Sequence, residues 1–557
     1  MVTDCDVCII GSGAGAGPVV YTLANLGKKV IVLEKGGWFT EKDFYKDEIA
    51  VCRRDTFTPP LEKEPHVIED IDSDGKWVAE SNAINRRNFW NGNMVGGSSN
   101  LMSGFFHRMK PVDFRLKSEF GAVEGANVVD WPVGYDDLER YYVLTEALVG
   151  ISGKVVSHPF LEPRSTNDFP FSPLAEHAIS KYIDKASESL GYNIIPTPRA
   201  IISRPVRNRL ACSYSGYCGS YGCSTGAKGS SRALLDLAVK SNNCEIRPNS
   251  RAYKIETDSS GKIQFVKYFN QAGKTIKINA KIYVIACQAV ETSRILLLSS
   301  GAKFPNGLAN NSGQVGKNLL FSAGGIGSGI FTSDQFSREE FSNLRDIHLF
   351  VNRALQDWYV IDDPKLGPQM KGGTIDFLMA HANPIRRAQK VKRKEGKLLW
   401  GRELKERLKE EFTNKIRLNF EIFCDWMPNN DCFVELSKSI KDKDGIPVAK
   451  IRVGYHPHDL IPGKYLAEKA ENVMRKMNTK EIRSSISGSP PANLMAGGCR
   501  FGNNPEESVL DKNCRAHEVE NLFVTDGSFM PTGGSVPYTW TIYANSFRVA
   551  NVIASEV

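Results

Sequence analysis

The chain has 557 residues, enough for two to four domains at roughly 100–200 residues each. Hydrophobic residues make up 41% and charged residues 24%, proportions that are typical of a globular protein and exclude an extended disordered chain or a collagen-like repeat. No run approaches the roughly 18 consecutive apolar residues that a membrane span requires. The N-terminus leads directly into an apolar strand and does not resemble a signal peptide, so we expect a cytoplasmic protein without a membrane span.

The net charge of +8 is concentrated in one short segment. Seven basic residues and one acidic residue lie between Arg386 and Lys397, so the rest of the chain is nearly neutral. A nucleic-acid-binding protein would spread basic residues over a whole face. We therefore expect a solvated loop leading into a helix over residues 403–412, and no nucleic-acid partner.

Residues 5–36 predict a strand, a glycine-rich turn, a helix and a second strand, at residues 7–10, 11–17, 18–26 and 29–33. Two more apolar strands are predicted at residues 282–286 and 522–524. A helix follows each of them, over residues 289–298 and, after Pro531, through Val552. Such pieces can lie side by side in one parallel sheet although they are far apart in sequence.

The middle of the chain has a different character. Residues 330–480 alternate short β-branched and aromatic runs with turns. Residues 418–424, 432–436 and 449–453 predict neighbouring antiparallel strands, with a turn at 441–445. We interpret this part as an α+β domain inserted into the first.

The first turn has the spacing of a dinucleotide-binding motif, Gly11-x-Gly13-x-x-Ala16, and Glu34 ends the next strand. The first glycine makes the turn, the second lets the backbone approach a pyrophosphate, and the small third residue lets helix and strand pack closely. The pyrophosphate would lie at the helix N-terminus and Glu34 would bind ribose hydroxyls.

The position of this motif favours FAD over a nicotinamide. It lies at the N-terminus, whereas the remaining sheet pieces are spread over about 520 residues. A second glycine-rich segment, residues 93–100, offers further backbone donors beside a flavin.

These segments together resemble the glucose–methanol–choline (GMC) oxidoreductases. The resemblance also covers residues 130–138, 283–294, 497–502, 508–511 and 521–532, and so spans nearly the whole chain. It is strongest to the gluconate- and sugar-dehydrogenase subgroup. It implies an α/β, Rossmann-like FAD-binding domain with an inserted α+β substrate domain that carries an antiparallel sheet.

The resemblance also implies non-covalent FAD and hydride transfer from an alcohol to the flavin. The expected FAD contacts are Gly11, Gly13, Ala14, Ala16, Glu34, Gly96, Gly97, Ser98, Ser99, Asn100, Asp526 and Gly527. The FAD-binding domain is expected to comprise residues 1–165, 206–325 and 485–557, and the substrate domain residues 166–205 and 326–484.

Both positions of the family's catalytic pair carry other residues here. The catalytic histidine, three residues before Gly497, is matched by Leu494, and the second catalytic residue, an Asn or His, by Pro537. Neither side chain can accept a proton. Either the base has moved, or the substrate supplies its own, or the protein is catalytically degenerate. Our candidates for a moved base are Asp425, His107 and Tyr538, followed by Tyr543 and Asn545.

Cys212, Cys218 and Cys223 form a cluster in a stretch rich in Gly and Ser. Relatives in the sugar-dehydrogenase subgroup hold a three-iron iron–sulfur cluster in the matching segment, and three thiolates in a tight loop suit such a centre. A disulfide, free thiols and a zinc site are the alternatives, although no histidine in the segment would complete a zinc site.

The function we expect is FAD-dependent oxidation of a hydroxyl on a polyhydroxylated small molecule, with O2 or an external electron acceptor. Residues 90–100 and 533–539 resemble enzymes that oxidise the 6′-hydroxymethyl group of paromamine-type aminoglycosides in antibiotic biosynthesis, and such a substrate would be cationic. The alternatives are a sugar or gluconate dehydrogenase that feeds an external acceptor, and a catalytically degenerate flavoprotein that acts in electron transfer or as a scaffold.

Overall fold

The fold was determined as a computed structural model that describes residues 3–90, 92–380, 382–490 and 493–557. Asn91, within the segment 90–100 discussed above, lies outside these residues. The α-helices of the described chain are Gly17–Asn25, Asn82–Asn85, Leu116–Phe120, Tyr135–Thr145, Ser180–Ser189, Arg232–Val239, Ala289–Leu298, Arg338–Leu344, Pro384–Val391, Gly401–Lys409, Leu460–Lys476 and Thr539–Ala554.

A five-stranded parallel sheet forms the centre of the first domain. Its strands, in spatial order, are Leu522–Val524, Ala280–Ile285, Cys5–Ile10, Val30–Leu33 and Cys244–Arg247. The three inner strands are almost wholly buried, which is why they consist of continuous apolar runs. The parallel sheet predicted from three distant sequence segments is therefore confirmed, as is the helix Ala289–Leu298.

A second, separate sheet has six antiparallel strands. Its order is Lys480–Ile486, Ala323–Thr332, Lys415–Cys424, Gly373–Met379, Arg353–Leu355 and Ile194–Ile195. The amphipathic helix Leu460–Lys476 packs against four of these strands through its apolar side.

One predicted strand arrangement is wrong. The strand at 418–424 does not neighbour the other two, because Lys415–Cys424 pairs with Ala323–Thr332 and Gly373–Met379 instead. Phe433–Lys441 and Pro447–Arg452 do pair with each other across the predicted turn, but they belong to a separate sheet, completed by Val67–Ile71 and Trp77–Ser81. Strand partners depend on contacts distant in sequence, and local alternation does not encode them.

The remaining sheets of the described chain are small. A three-stranded meander consists of Arg251–Thr257, Ile263–Phe269 and Thr275–Ile278, and the two-stranded pairs are Leu319–Leu320 with Ala496–Gly497, Val360–Ile361 with Met370–Lys371, and Arg393–Lys394 with Lys397–Leu398. The last pair lies within the basic segment, whose side chains are mostly exposed. In the described chain, no helix is both long enough and apolar enough to cross a bilayer.

Candidate active site

A cavity of about 530 Å³ opens where the carboxyl ends of the parallel strands meet. Gly11 follows the first strand, Glu34 the second, Ala286 a third and Asp526 a fourth, and each of them lines the cavity. Ligands of open α/β sheets bind at this edge of the sheet.

Three of the four glycines in the first turn, Gly11, Gly13 and Gly15, have different structural roles. A Cβ on Gly11, whose φ is +92°, would lie 2.3 Å from the Ala286 carbonyl oxygen, and one on Gly15 would lie 2.6 Å from the Asp526 Cα. A Cβ on Gly13 would meet no protein atom within 4 Å. Gly11 and Gly15 are therefore required by the fold, whereas Gly13 leaves open space on the cavity wall, where a pyrophosphate is expected.

The Glu34 carboxylate is held at the cavity by backbone donors. The Gly36 amide donates to Oε1 at 2.8 Å and the Ser12 amide to Oε2 at 3.1 Å, while the Ser12 hydroxyl also donates to Oε2. Burial raises the pKa of Glu34, and these hydrogen bonds oppose the rise. The fixed acceptor suits the ribose hydroxyls of a dinucleotide.

The second glycine-rich segment packs directly on the first. Gly97, at φ +59°, lies so close that a Cβ on it would be 3.0 Å from the Gly13 Cα, and the Gly96 amide donates to the Ser12 hydroxyl at 3.0 Å. Gly97, Ser98 and Ser99 line the cavity. Asn100 shapes this loop from behind, because its side-chain amide donates to the Val95 carbonyl at 2.9 Å. Ala16 is buried and precedes the first helix.

Asp526 joins two elements at the cavity edge. Its carboxylate accepts hydrogen bonds from the Gln288 amide at 3.0 Å, from the Ser528 amide at 2.8 Å and from the Thr292 hydroxyl. Burial raises the pKa of Asp526, and these hydrogen bonds oppose the rise. Asp526 and Gly527 both line the cavity.

The residues present fit FAD. The open wall at Gly13, the anchored Glu34 carboxylate and the cavity volume together provide a place for a pyrophosphate, a ribose and a large apolar ring. The helix Thr539–Ala554 begins at this wall, since Thr539 lines the cavity, and its N-terminal dipole favours negative charge there.

Leu494 and Pro537, which the resemblance matches to the family's catalytic positions, both line the cavity, as does Tyr538. The Tyr538 hydroxyl donates to the Leu494 carbonyl, and burial together with the charge of Asp425 raises its pKa well above the usual value. Tyr543 and Asn545 lie further along the same helix, buried and away from the cavity lining.

Asp425 lies behind the cavity wall. Its Oδ2 accepts from the Ser535 hydroxyl at 3.3 Å and lies 3.9 Å from the Lys371 ammonium, which also contacts Asp113 at 2.9 Å. Burial raises the pKa of Asp425 to about 6, opposed by Lys371 and assisted by Asp113.

His107 is also outside the cavity lining. Its Nε2 lies 3.0 Å from the Asp376 carboxylate, whose other oxygen accepts from the Thr197 hydroxyl at 2.7 Å. His107 and Asp376 are both buried.

The sequence-based reasoning missed the polar residues on the cavity face of one strand. Asn419, Glu421 and Phe423 line the cavity, whereas Leu418, Phe420 and Ile422 point into the core, as the alternation along Lys415–Cys424 requires. Asn419 and Glu421, polar residues that alternate with apolar ones along this strand, were the signal. Burial and the charge of Asp376 raise the pKa of Glu421 to about 7, and the positive charge of Arg199 opposes this rise.

Cys212, Cys218 and Cys223 are free thiols, half-buried against a small apolar cluster. Within the described residues, no group of three or more His, Cys, Asp or Glu is arranged to hold a metal. The Lys228 ammonium joins this loop to the second glycine-rich segment by donating to the Cys218 and Asn100 carbonyls at 2.9 and 3.1 Å. Burial opposes ionisation of Cys223, but Lys228 and Thr225 outweigh it and lower its pKa.

Two models of the GMC oxidoreductase family match the chain, at residues 31–322 and 428–546. The chain therefore belongs to the GMC oxidoreductases, FAD-dependent enzymes that oxidise CH–OH groups.

Among curated relatives, paromamine 6′-oxidase of Streptomyces fradiae is 28% identical over 99% of this chain and 92% of its own length. The 2-methyl-1,2-propanediol dehydrogenase of Mycolicibacterium austroafricanum is also 28% identical, over 99% and 95%. Among solved structures, a formate oxidase variant of Aspergillus oryzae superposes with a TM-score of 0.64 at 14% identity, covering 100% of this chain and 99% of the other.

Proposed function

We propose that this enzyme oxidises the 6′-hydroxymethyl group of a paromamine-like aminoglycoside, in antibiotic biosynthesis. The observation that carries the proposal is the end-to-end similarity to paromamine 6′-oxidase. The cavity chemistry supports it, because Asn419 and Glu421 place polar groups on the wall, which suits a polyhydroxylated substrate.

In this proposal the chain binds FAD, orients the substrate and shields both from water. The two glycine-rich segments, Glu34 and the Asp526–Gly527 turn would hold FAD without a covalent bond, and bound FAD supplies the hydride acceptor. Tyr538, Asp425 and His107 stay our sequence-based candidates for the proton acceptor. Of these, only Tyr538 lines the cavity, and its hydroxyl proton is directed at the Leu494 carbonyl.

Two alternatives keep the same fold. A sugar or gluconate dehydrogenase would pass electrons to an external acceptor instead of O2. The three-iron centre that the resemblance implies at Cys212, Cys218 and Cys223 would suit that route, but the described residues do not bring three such ligands together to hold it. A catalytically degenerate flavoprotein, in electron transfer or as a scaffold, would explain Leu494 and Pro537. We further propose a cytoplasmic location and the domain boundaries given above.

Turnover with a matched panel tests the substrate. We expect paromamine to be converted to its 6′-aldehyde with a higher kcat/KM than 2-methyl-1,2-propanediol, fructose or gluconate, each assayed under air and with an artificial acceptor. A preference for fructose or gluconate with the artificial acceptor would favour the dehydrogenase alternative. No turnover of any compound would favour the degenerate one.

The state of the cofactors is tested by acid precipitation and metal analysis. We expect all the yellow colour in the supernatant, because the FAD is held by non-covalent contacts only; flavin retained in the pellet would contradict this. Iron and acid-labile sulfide in stoichiometric amounts, in protein purified without oxygen, would support the iron–sulfur hypothesis, and their absence would remove it.

A further inference from the structure

The cavity lacks a proton acceptor at the two positions where the family places one. Leu494 and Pro537 line the cavity, and a hydrocarbon side chain and a proline ring cannot take a proton. An alcohol loses its hydroxyl proton when it is oxidised, and a basic group on the cavity wall would accept that proton.

Glu421 is a carboxylate on that wall. It lies on the strand Lys415–Cys424, in the alternating set that faces the cavity with Asn419 and Phe423. Within the described residues its side chain makes no hydrogen bond and no ion pair, whereas the carboxylates of Glu34 and Asp526 are both occupied by protein donors. Its oxygens are therefore free for a ligand.

The surroundings of Glu421 tune it for proton uptake. Asp376 lies directly opposite on the neighbouring strand Gly373–Met379, and its own oxygens are occupied by His107 and Thr197. The positive charge of Arg199 opposes the effect of Asp376 on the pKa of Glu421. The Arg199 guanidinium donates to neutral acceptors, at 2.8 Å to the Asn352 side chain and at 3.1 Å to the Val351 carbonyl.

We propose that Glu421 is the base that accepts the substrate hydroxyl proton. The inference rests on the proposed alcohol oxidation. The O–H bond breaks and its proton passes to a Glu421 oxygen, giving the carboxylic acid. The O–H electron pair becomes the second carbon–oxygen bond, and the hydride leaves the carbon with the C–H electron pair. Bound FAD would be the acceptor of that hydride.

A binding role for Glu421 makes a different prediction. An acid that only holds a substrate ammonium would affect paromamine and spare a neutral alcohol, and would change affinity more than the rate at saturation. Paromamine and 2-methyl-1,2-propanediol are therefore the two probes. They share a primary hydroxyl and differ in charge.

Rapid mixing of the FAD-loaded enzyme without oxygen tests the role. For Glu421→Gln we expect flavin reduction at saturating probe to fall by about 10²–10⁴ with both compounds, with FAD content unchanged. In the wild type the rate should rise with pH through about 7, since only the carboxylate accepts a proton, and Glu421→Gln should lose that rise. Glu339→Gln, an exposed Glu on another element, is the matched control and should behave as wild type.

A second readout does not depend on turnover. In the infrared pH titration of the FAD-loaded protein, the wild-type minus Glu421→Gln difference should show a protonated-carboxyl band that disappears as pH rises through about 7. Absence of that band, wild-type reduction rates in Glu421→Gln, or a defect confined to paromamine would each overturn the assignment. If neither probe reduces the flavin of the wild-type enzyme, the proposed function is wrong, and the assignment of Glu421 as the base is wrong with it.

Discussion

Replacing Gly13 by alanine is expected to weaken FAD binding while leaving the chain folded. The added Cβ would meet no protein atom within 4 Å, so the fold has room for it, but it would project from the wall where the pyrophosphate is expected. We expect FAD affinity to fall at least tenfold, about 1.4 kcal/mol. FAD released from the purified variant, and its dissociation constant by flavin fluorescence, measure the effect.

Two matched variants separate cofactor contact from fold damage. Gly134→Ala introduces the same methyl at a site with only an ordinary contact, 3.8 Å from the Asp137 carboxylate, and should retain FAD. Gly11→Ala should disturb the fold itself, because its Cβ would lie 2.3 Å from a backbone oxygen at a φ of +92°. A Gly13→Ala protein with wild-type FAD affinity would contradict the proposed position of the pyrophosphate.

Replacing Arg108 by alanine is expected to destabilise the protein by about 3 kcal/mol, the lower end of the usual loss when a buried ion pair loses one partner, because Glu146 keeps its other partner Arg164 at 2.7 Å. Arg108 is 1% exposed. Its guanidinium donates to Glu146 at 2.6 Å and to Glu139 and the Tyr135 hydroxyl at 3.1 Å. It also lies 5.3 Å from the ring of Trp540, in the helix whose first residues line the cavity.

Chemical denaturation followed by circular dichroism measures this loss. Arg475→Ala is the control: this exposed arginine pairs with Glu471 at 2.7 Å one helical turn away, and its loss should change stability by less than about 1 kcal/mol. If the two variants unfold at the same denaturant concentration, the buried network around Arg108 does not stabilise the fold as its geometry implies.

The inner strands of the parallel sheet and the FAD-binding turn could be predicted because their signals are local. Residues 7–17 carry an apolar strand and a glycine spacing that few other structures require, and Glu34 lies where the next buried strand must end. The structure adds a distinction that the spacing does not contain: Gly11 and Gly15 serve the fold, and Gly13 faces the cavity.

The proton acceptor could not be located in the same way. Asp425 and His107 are candidates because the resemblance implies that their segments come near the flavin, but proximity of a segment does not fix the direction of a side chain. Asp425 turns towards Lys371 and Ser535, and His107 towards Asp376. Glu421 lies on the cavity side because of the alternation in Lys415–Cys424, and the neighbours of that strand are set by pairing distant in sequence.

The most direct test of the account is a single-turnover measurement with the wild-type protein. The FAD-loaded enzyme is mixed with paromamine without oxygen, and the yellow absorbance of oxidised flavin is followed. We expect it to bleach at a rate that saturates with paromamine concentration, with one aldehyde formed for each flavin reduced. Flavin that stays oxidised with paromamine and with every alcohol of the panel, yet is bleached by dithionite, would contradict the assignment of alcohol oxidation to this protein.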